Sequence, residues 1–227
     1  MLDTIPTYLS LSFVAITVLT IWLFSRAFKA SRVKLIGALS IWTVAQGLAA
    51  WQGFYQETDT IPPRFIFVLG PLLAGLLFVI FSKKGNQWAN MANMKALTIL
   101  HIIRIPVELC LYGLFLEKAV PELMTFTGRN FDILAGFAAP IVYYFAFINK
   151  RLSNRWLLIW NIAGLLLLVS IIINAILSSP LPIQQFAFDQ PNIAIIHFPF
   201  IWLACTVAPL ALFSHVLAIK KLLVSKT

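Results

Sequence analysis

Charge is scarce in this sequence, and acidic charge is scarcer still. Charged residues make up 11% of its 227 positions, where a soluble domain carries about 25%. Basic residues outnumber acidic ones 17 to 8. Cysteine is limited to Cys110 and Cys205. Both sit in apolar runs, which argues against a disulfide framework and for small buried side chains. There is no glycine-rich phosphate loop, no serine in a G-x-S-x-G setting, and no His-x-x-His or HExxH pair. The usual phosphate, nucleophile and zinc signatures are therefore missing, and the chain reads more as a non-enzyme than an enzyme. The N-terminus also lacks the basic region and small-residue cleavage site of a signal peptide. Met1 onward is expected to be mature protein, with the first apolar run a span.

What the sequence has in excess is hydrocarbon. Hydrophobic residues reach 60% and the mean hydropathy is +0.90, the signature of an all-α polytopic membrane protein. One transmembrane bundle is expected, with no room for a separate soluble domain. Seven apolar runs are predicted as spans, at about 7–24, 35–55, 63–81, 96–116, 130–148, 156–177 and 193–219. The Pro62–Pro63 pair suits the first turn of the third. The polar segment 85–95, with Trp88 and two methionines, reads either as a surface-lying helix or as an ordinary loop.

The charges then orient the bundle. Apart from Arg64, Arg104, Lys118 and Arg129, every lysine and arginine falls in the loops after spans 1, 3, 5 and 7. Asp3, Glu57, Asp59, Glu117, Glu122 and Asp189 all fall on the opposite side. The positive-inside rule puts the N-terminus outside and the C-terminus in the cytoplasm, as expected for a bacterial inner (plasma) membrane protein. The net charge of +9 is then a matter of topology and anionic lipid, so nucleic acid is not an expected partner. Tryptophan and tyrosine near the span ends fit an interfacial belt.

Span 4 is the exception to the apolar rule. It reads ALTILHIIRIPVELCLYGLFL over 96–116 and carries His101, Arg104 and Glu108 at i, i+3 and i+7. On a helix these fall within about 60° of one another, and Tyr112 extends the stripe. A charge left facing lipid costs at least ~2.5 kcal/mol, so the stripe must face protein or water. The 1.5 Å rise puts His101 about 7 Å, Arg104 about 12 Å and Glu108 about 18 Å from the cytoplasmic end. Arg104 and Glu108 are spaced for an ion pair within the helix. Asn130 and Asp132 suit a helix N-terminus at the outer head groups, with Arg129 reaching water. Alternatively, Arg129 and Asp132 line the mouth of a cavity whose floor is Glu108. His197 lies in the outer half of span 7. His215 lies near its inner end, at a depth similar to His101, so a haem or a metal held by His101 and His215 is an alternative.

Seven spans with this orientation resemble the layout of microbial rhodopsins, which implies a retinal-bearing lysine in the middle of the last span. No lysine occurs between Lys150 and Lys220. The small sugar transporters of the SWEET type share the layout, which implies a linking fourth span and Pro-Gln motifs. Here the fourth span is the polar one, and no Pro-Gln pair occurs. Three functional readings stay open. The first is a transporter or binding protein for a small polar or anionic ligand. Its site would open outward, with Arg104, Glu108, Tyr112, Arg129, Asp132 and His197 around it and Glu108 able to couple protonation to binding. The second is an accessory subunit whose ion pairs only pack helices. The third is a redox protein using His101 and His215.

Overall fold

The computed structural model describes residues 5–224, so the expectations resting on Met1, Asp3 and Lys226 lie outside the described residues. Those residues form an all-α structure. Its helices are α1 (Thr7–Ser25), α2 (Arg32–Trp51), α3 (Ile66–Phe81), α4 (Lys83–Met91), α5 (Met94–Leu100), α6 (Arg104–Leu116), α7 (Asp132–Tyr143), α8 (Asn154–Leu177) and α9 (Ala208–Val224). A 3-10 turn, His101–Ile103, joins α5 to α6. Pro106 explains this break, because it offers no N–H to the carbonyl of Ile102 and its ring crowds that carbonyl.

Among the described residues, five helical stretches are long and apolar enough to cross a membrane: Thr7–Ser25, Lys29–Trp51, Met94–Leu116, Asn154–Leu177 and Leu203–Val224. Helices α3 and α4 pass as a sixth if taken together, but the chain bends by 84° between them. The expected run 63–81 is thus helical only over the 16 residues of α3. Ser82 turns extended there, and its hydroxyl accepts from the Gly85 N–H at 2.9 Å, capping α4. The segment 85–95 is therefore mostly helix rather than loop. Run 35–55 closes early, at Trp51, because Gly53 takes a left-handed φ of +79° that ends the helix. Run 193–219 is not helical throughout. A short 3-10 turn and an extended His197 precede a π turn at Leu203–Val207, and the helix continues to Val224.

Pro209 in α9 frees a carbonyl, and a neighbouring side chain takes it up. Pro209 has no N–H for the carbonyl of Cys205, and the Trp42 indole donates to it at 2.8 Å. The Trp202 indole returns the favour by donating to the Thr43 carbonyl at 2.7 Å. Thr43 and Thr206 hydroxyls meet at 2.8 Å between the two. Gly47 makes the contact possible, since a Cβ there would lie 2.8 Å from Trp202 Nε1. At the other end of α9, Lys220 donates to the carbonyls of Val79 and Ile80, and Lys221 to those of Asn90 and Ala92. Two lysines of one helix thereby cap the C-termini of α3 and α4.

The most enclosed helix is the last. In the stretch Leu203–Val224, 61% of the most apolar window is buried, against 22% for Lys29–Trp51. Helix α9 packs on α8, α4, α5 and α3, while α5–α6 packs on α1 and α7. The bundle is therefore built around two adjacent rods, Met94–Leu116 and Leu203–Val224. Replacing Gly47 with Val is expected to destabilise the protein by about 1–3 kcal/mol, because Trp202 must leave its slot. Thermal unfolding of the purified protein in detergent would register this as a lowered Tm.

Candidate functional site

The site starts from Arg104, the first residue of α6, which is 3% exposed. Gly136 on α7 lies against it, and a Cβ there would come within 3.2 Å of the Arg104 Cβ. Asp132 is one turn earlier on the same face of α7, and this close approach delivers it to the guanidinium. Arg104 Nη1 donates to Asp132 Oδ1 at 2.6 Å, and both side chains are buried. The expected ion pair with Glu108 inside the helix is therefore replaced by one between helices. Arg104 also donates to the Gly164 carbonyl on α8, at 3.3 and 3.4 Å, and to His215 Nε2 on α9 at 3.0 Å. One guanidinium thus ties α6 to α7, α8 and α9.

These bonds fix the state of His215. A guanidinium has donors only, so Nε2 must accept, and the imidazole is neutral with its proton on Nδ1. That Nδ1–H donates to Asn161 Oδ1 at 3.0 Å, and Asn161 in turn donates to the Leu157 carbonyl at 2.8 Å. Gly164 lets the ring in: a Cβ at this position would lie 2.6 Å from His215 Cε1 and Nε2. His101 stacks on His215 with centroids 3.8 Å apart and planes 13° from parallel, and Trp160 meets both rings edge-on. Two axial ligands of a haem must aim ring nitrogens at one iron from opposite sides. Stacked rings present their faces to each other instead, so this pair does not fit a bis-histidine haem. No group of three or more His, Cys, Asp or Glu among the described residues is arranged to hold a metal ion.

Glu108 belongs to a second set of contacts. Its Oε1 accepts from Asn130 Nδ2 at 2.6 Å. Asn130 also donates to the Met124 carbonyl at 3.0 Å and accepts from the Asp132 N–H at 3.0 Å. Asn130 thus holds Glu108 and the start of α7 together. Asp132 is not at the outer end of the bundle, as expected from sequence. Gly136 lies against Arg104, and Asp132 starts α7 one turn away, next to Asn130, which bonds Glu108, because the chain before it runs into the protein. That descending stretch is satisfied by side and main chains around it, with Gln190 donating to the Val120 carbonyl and the Ala194 N–H to the Ala119 carbonyl.

Arg104, Glu108 and Asp132 form part of the wall of a partly open cavity of about 70 Å³. They are the charged members of a wall that is otherwise apolar, with Leu69 and Leu72 from α3, Val107 and Leu111 from α6, and Ile172 and Ile176 from α8 among its residues. The remaining expected residues stand apart. Arg129 is exposed, Tyr112 packs on Phe115 and Phe126, and His197 Nδ1 bonds the Ile193 carbonyl. None of the three lines the cavity. Sequence reasoning missed Asn130 as a link, and it missed Asn161 and Gly164. The available signal was Leu157, Asn161, Gly164 and Leu168 at helical spacing in a span with no charge.

Residues 61–223 match the family described as a domain of unknown function, DUF8737. The chain belongs to that family. The matched region contains every residue of the Arg104 cluster and every residue of the cavity wall. No curated protein and no solved structure matches the chain.

Removing one partner of the buried pair, as in Asp132→Leu, is expected to destabilise the protein by about 3–5 kcal/mol. Removing both, in Arg104→Met with Asp132→Leu, is expected to recover much of that loss, read as Tm in detergent. Gly164→Ala is expected to displace the His215 ring and lower the Tm while leaving Asp132 paired.

Proposed function

We propose that this chain is an integral membrane protein that binds an amphiphilic ligand within the bilayer, in the cavity beside Arg104 and Glu108. The single observation that carries this reading is the make-up of the cavity wall: aliphatic side chains with the buried Arg104, Glu108 and Asp132 among them. Ligand sites have this character, mostly apolar with a few placed polar groups. The small polar or anionic ligand suggested by sequence is less suited to such walls than a molecule that is largely hydrocarbon.

The proposal includes the topology. The five long stretches, the bent α3–α4 pair and the shorter Asp132–Ile148 segment make seven crossings. The basic loops face the cytoplasm of a bacterial plasma membrane, the N-terminus lies outside, and the cavity occupies the outer half. Cysteines placed singly at Lys83 and at Glu122 are expected to label from opposite sides of sealed vesicles.

A second reading has its own support. The Arg104 contacts to three other helices suit a packing role, and this role is compatible with binding next door. The two are separated by filling the cavity without touching any charge. Ala175 lies in the wall on α8. Ala175→Phe is expected to keep or raise the Tm and to remove lipid-sized adducts seen by native mass spectrometry of the wild type. Identical adducts on both proteins, or none on either, would overturn the binding reading in favour of packing alone.

A further inference from the structure

Two buried polar atoms in the cavity wall lack a partner: Arg104 Nε, a donor, and Glu108 Oε2, an acceptor when ionised. Their residues are 3% and 2% exposed. Buried orphans of this kind are rare in folded proteins and call for an explanation. Arg104 and Glu108 are four apart on α6, so their side chains leave the helix on one face about a turn from each other. A single small group can therefore address both.

The chemistry of that group is restricted. A carboxylate or phosphate accepts from Arg104 Nε but meets the carboxylates of Glu108 and Asp132. An ammonium donates to Glu108 but meets Arg104. A hydrocarbon leaves both atoms unmatched. A hydroxyl accepts from one and donates to the other, and it also serves if Glu108 carries a proton, because it then accepts from Oε2–H. Apart from Asp132, the rest of the lining is leucine, isoleucine, valine and alanine with Phe65 and Met124, and the parts of a cavity with only such walls do not hold water. An apolar chain is their natural occupant. Its route is given by α3 and α8, which both pack on α9 without packing closely on each other, with Leu69 and Leu72 on one side of the gap and Ile172 and Ile176 on the other.

We propose that the cavity takes a single-chain lipid alcohol, its hydroxyl bridging Arg104 Nε and Glu108 Oε2 and its hydrocarbon chain leaving between α3 and α8. This rests on the reading of the cavity as a ligand site.

The test uses the purified full chain in detergent micelles and four probes with one chain length: hexadecan-1-ol, hexadecylamine, hexadecanoic acid and hexadecane. Binding is measured by native mass spectrometry and by thermal shift. Hexadecan-1-ol is expected to bind about tenfold or more tighter than each of the others, the gain of one well-made hydrogen-bonded head. Glu108→Leu is expected to erase that preference, and Ala175→Phe to abolish binding of all four. If Glu108→Leu does not fold, the head-group ranking and Ala175→Phe still decide. Equal binding of all four, or a preference for the acid or the amine, with loss in Ala175→Phe, overturns the alcohol while the ligand site stands. No binding of any probe, with Ala175→Phe unchanged from wild type, overturns both. A bound-state map showing water alone between Arg104 and Glu108 also overturns the alcohol.

Discussion

A guanidinium held away from water must be surrounded by acceptors, and Arg104 is 97% enclosed on this account by groups from three other helices. It takes a carboxylate from α7, a carbonyl from α8 and an imidazole nitrogen from α9. Each of those acceptors reaches it only because a small residue stands nearby. Gly136 brings α7 against α6, and Gly164 admits the His215 ring to α8. The demand of one side chain for partners thus sets the distances between four helices. A buried ion pair adds little net stability over an apolar replacement, but losing one partner is expensive. The cluster therefore fixes which arrangement the helices adopt more than how strongly they hold it.

The backbone follows the same rule. In hydrocarbon every N–H and C=O needs an internal partner. Pro106 and Pro209 each break a ladder, and the breaks are used. The first coincides with the turn at His101–Ile103 that precedes Arg104, and the second offers the Cys205 carbonyl to Trp42. The segment before α7 enters the bundle as irregular chain, which is tolerated because Gln190, Asn130 and Ala194 answer its carbonyls. This is how Asp132 comes to lie beside α6, within reach of Arg104 and next to the residue that holds Glu108.

The polar layer also divides the bundle's interior. On one side of Arg104 are the neutral, stacked histidines His215 and His101 with Trp160 and Asn161. On the other is the aliphatic cavity with Glu108 and Asp132 in its wall. The first side is closely packed and mostly satisfied, although both His101 ring nitrogens lack partners. The second is the partly open cavity, and it is the side on which we propose that a ligand enters.

Much of this was legible in the chain as written. Sixty per cent hydrophobic residues and scarce charge pointed to long apolar helices, and the described residues are all-α with five or six helices long and apolar enough to cross a membrane. The i, i+3, i+7 spacing of His101, Arg104 and Glu108 required a face turned away from lipid, and all three are buried. What one chain of letters does not carry is which partner lies across a helix interface. Arg104 had Glu108 at a favourable spacing on its own helix, yet it pairs with Asp132, 28 residues on. Arg129, Tyr112 and His197 had suitable chemistry but sit outside the cavity. Glycines 136 and 164 carried no chemistry at all, and they decided both contacts. Periodicity along the sequence determines which face of a helix is buried; the depth and the neighbour depend on how closely two backbones can approach, and that is settled only when the helices pack.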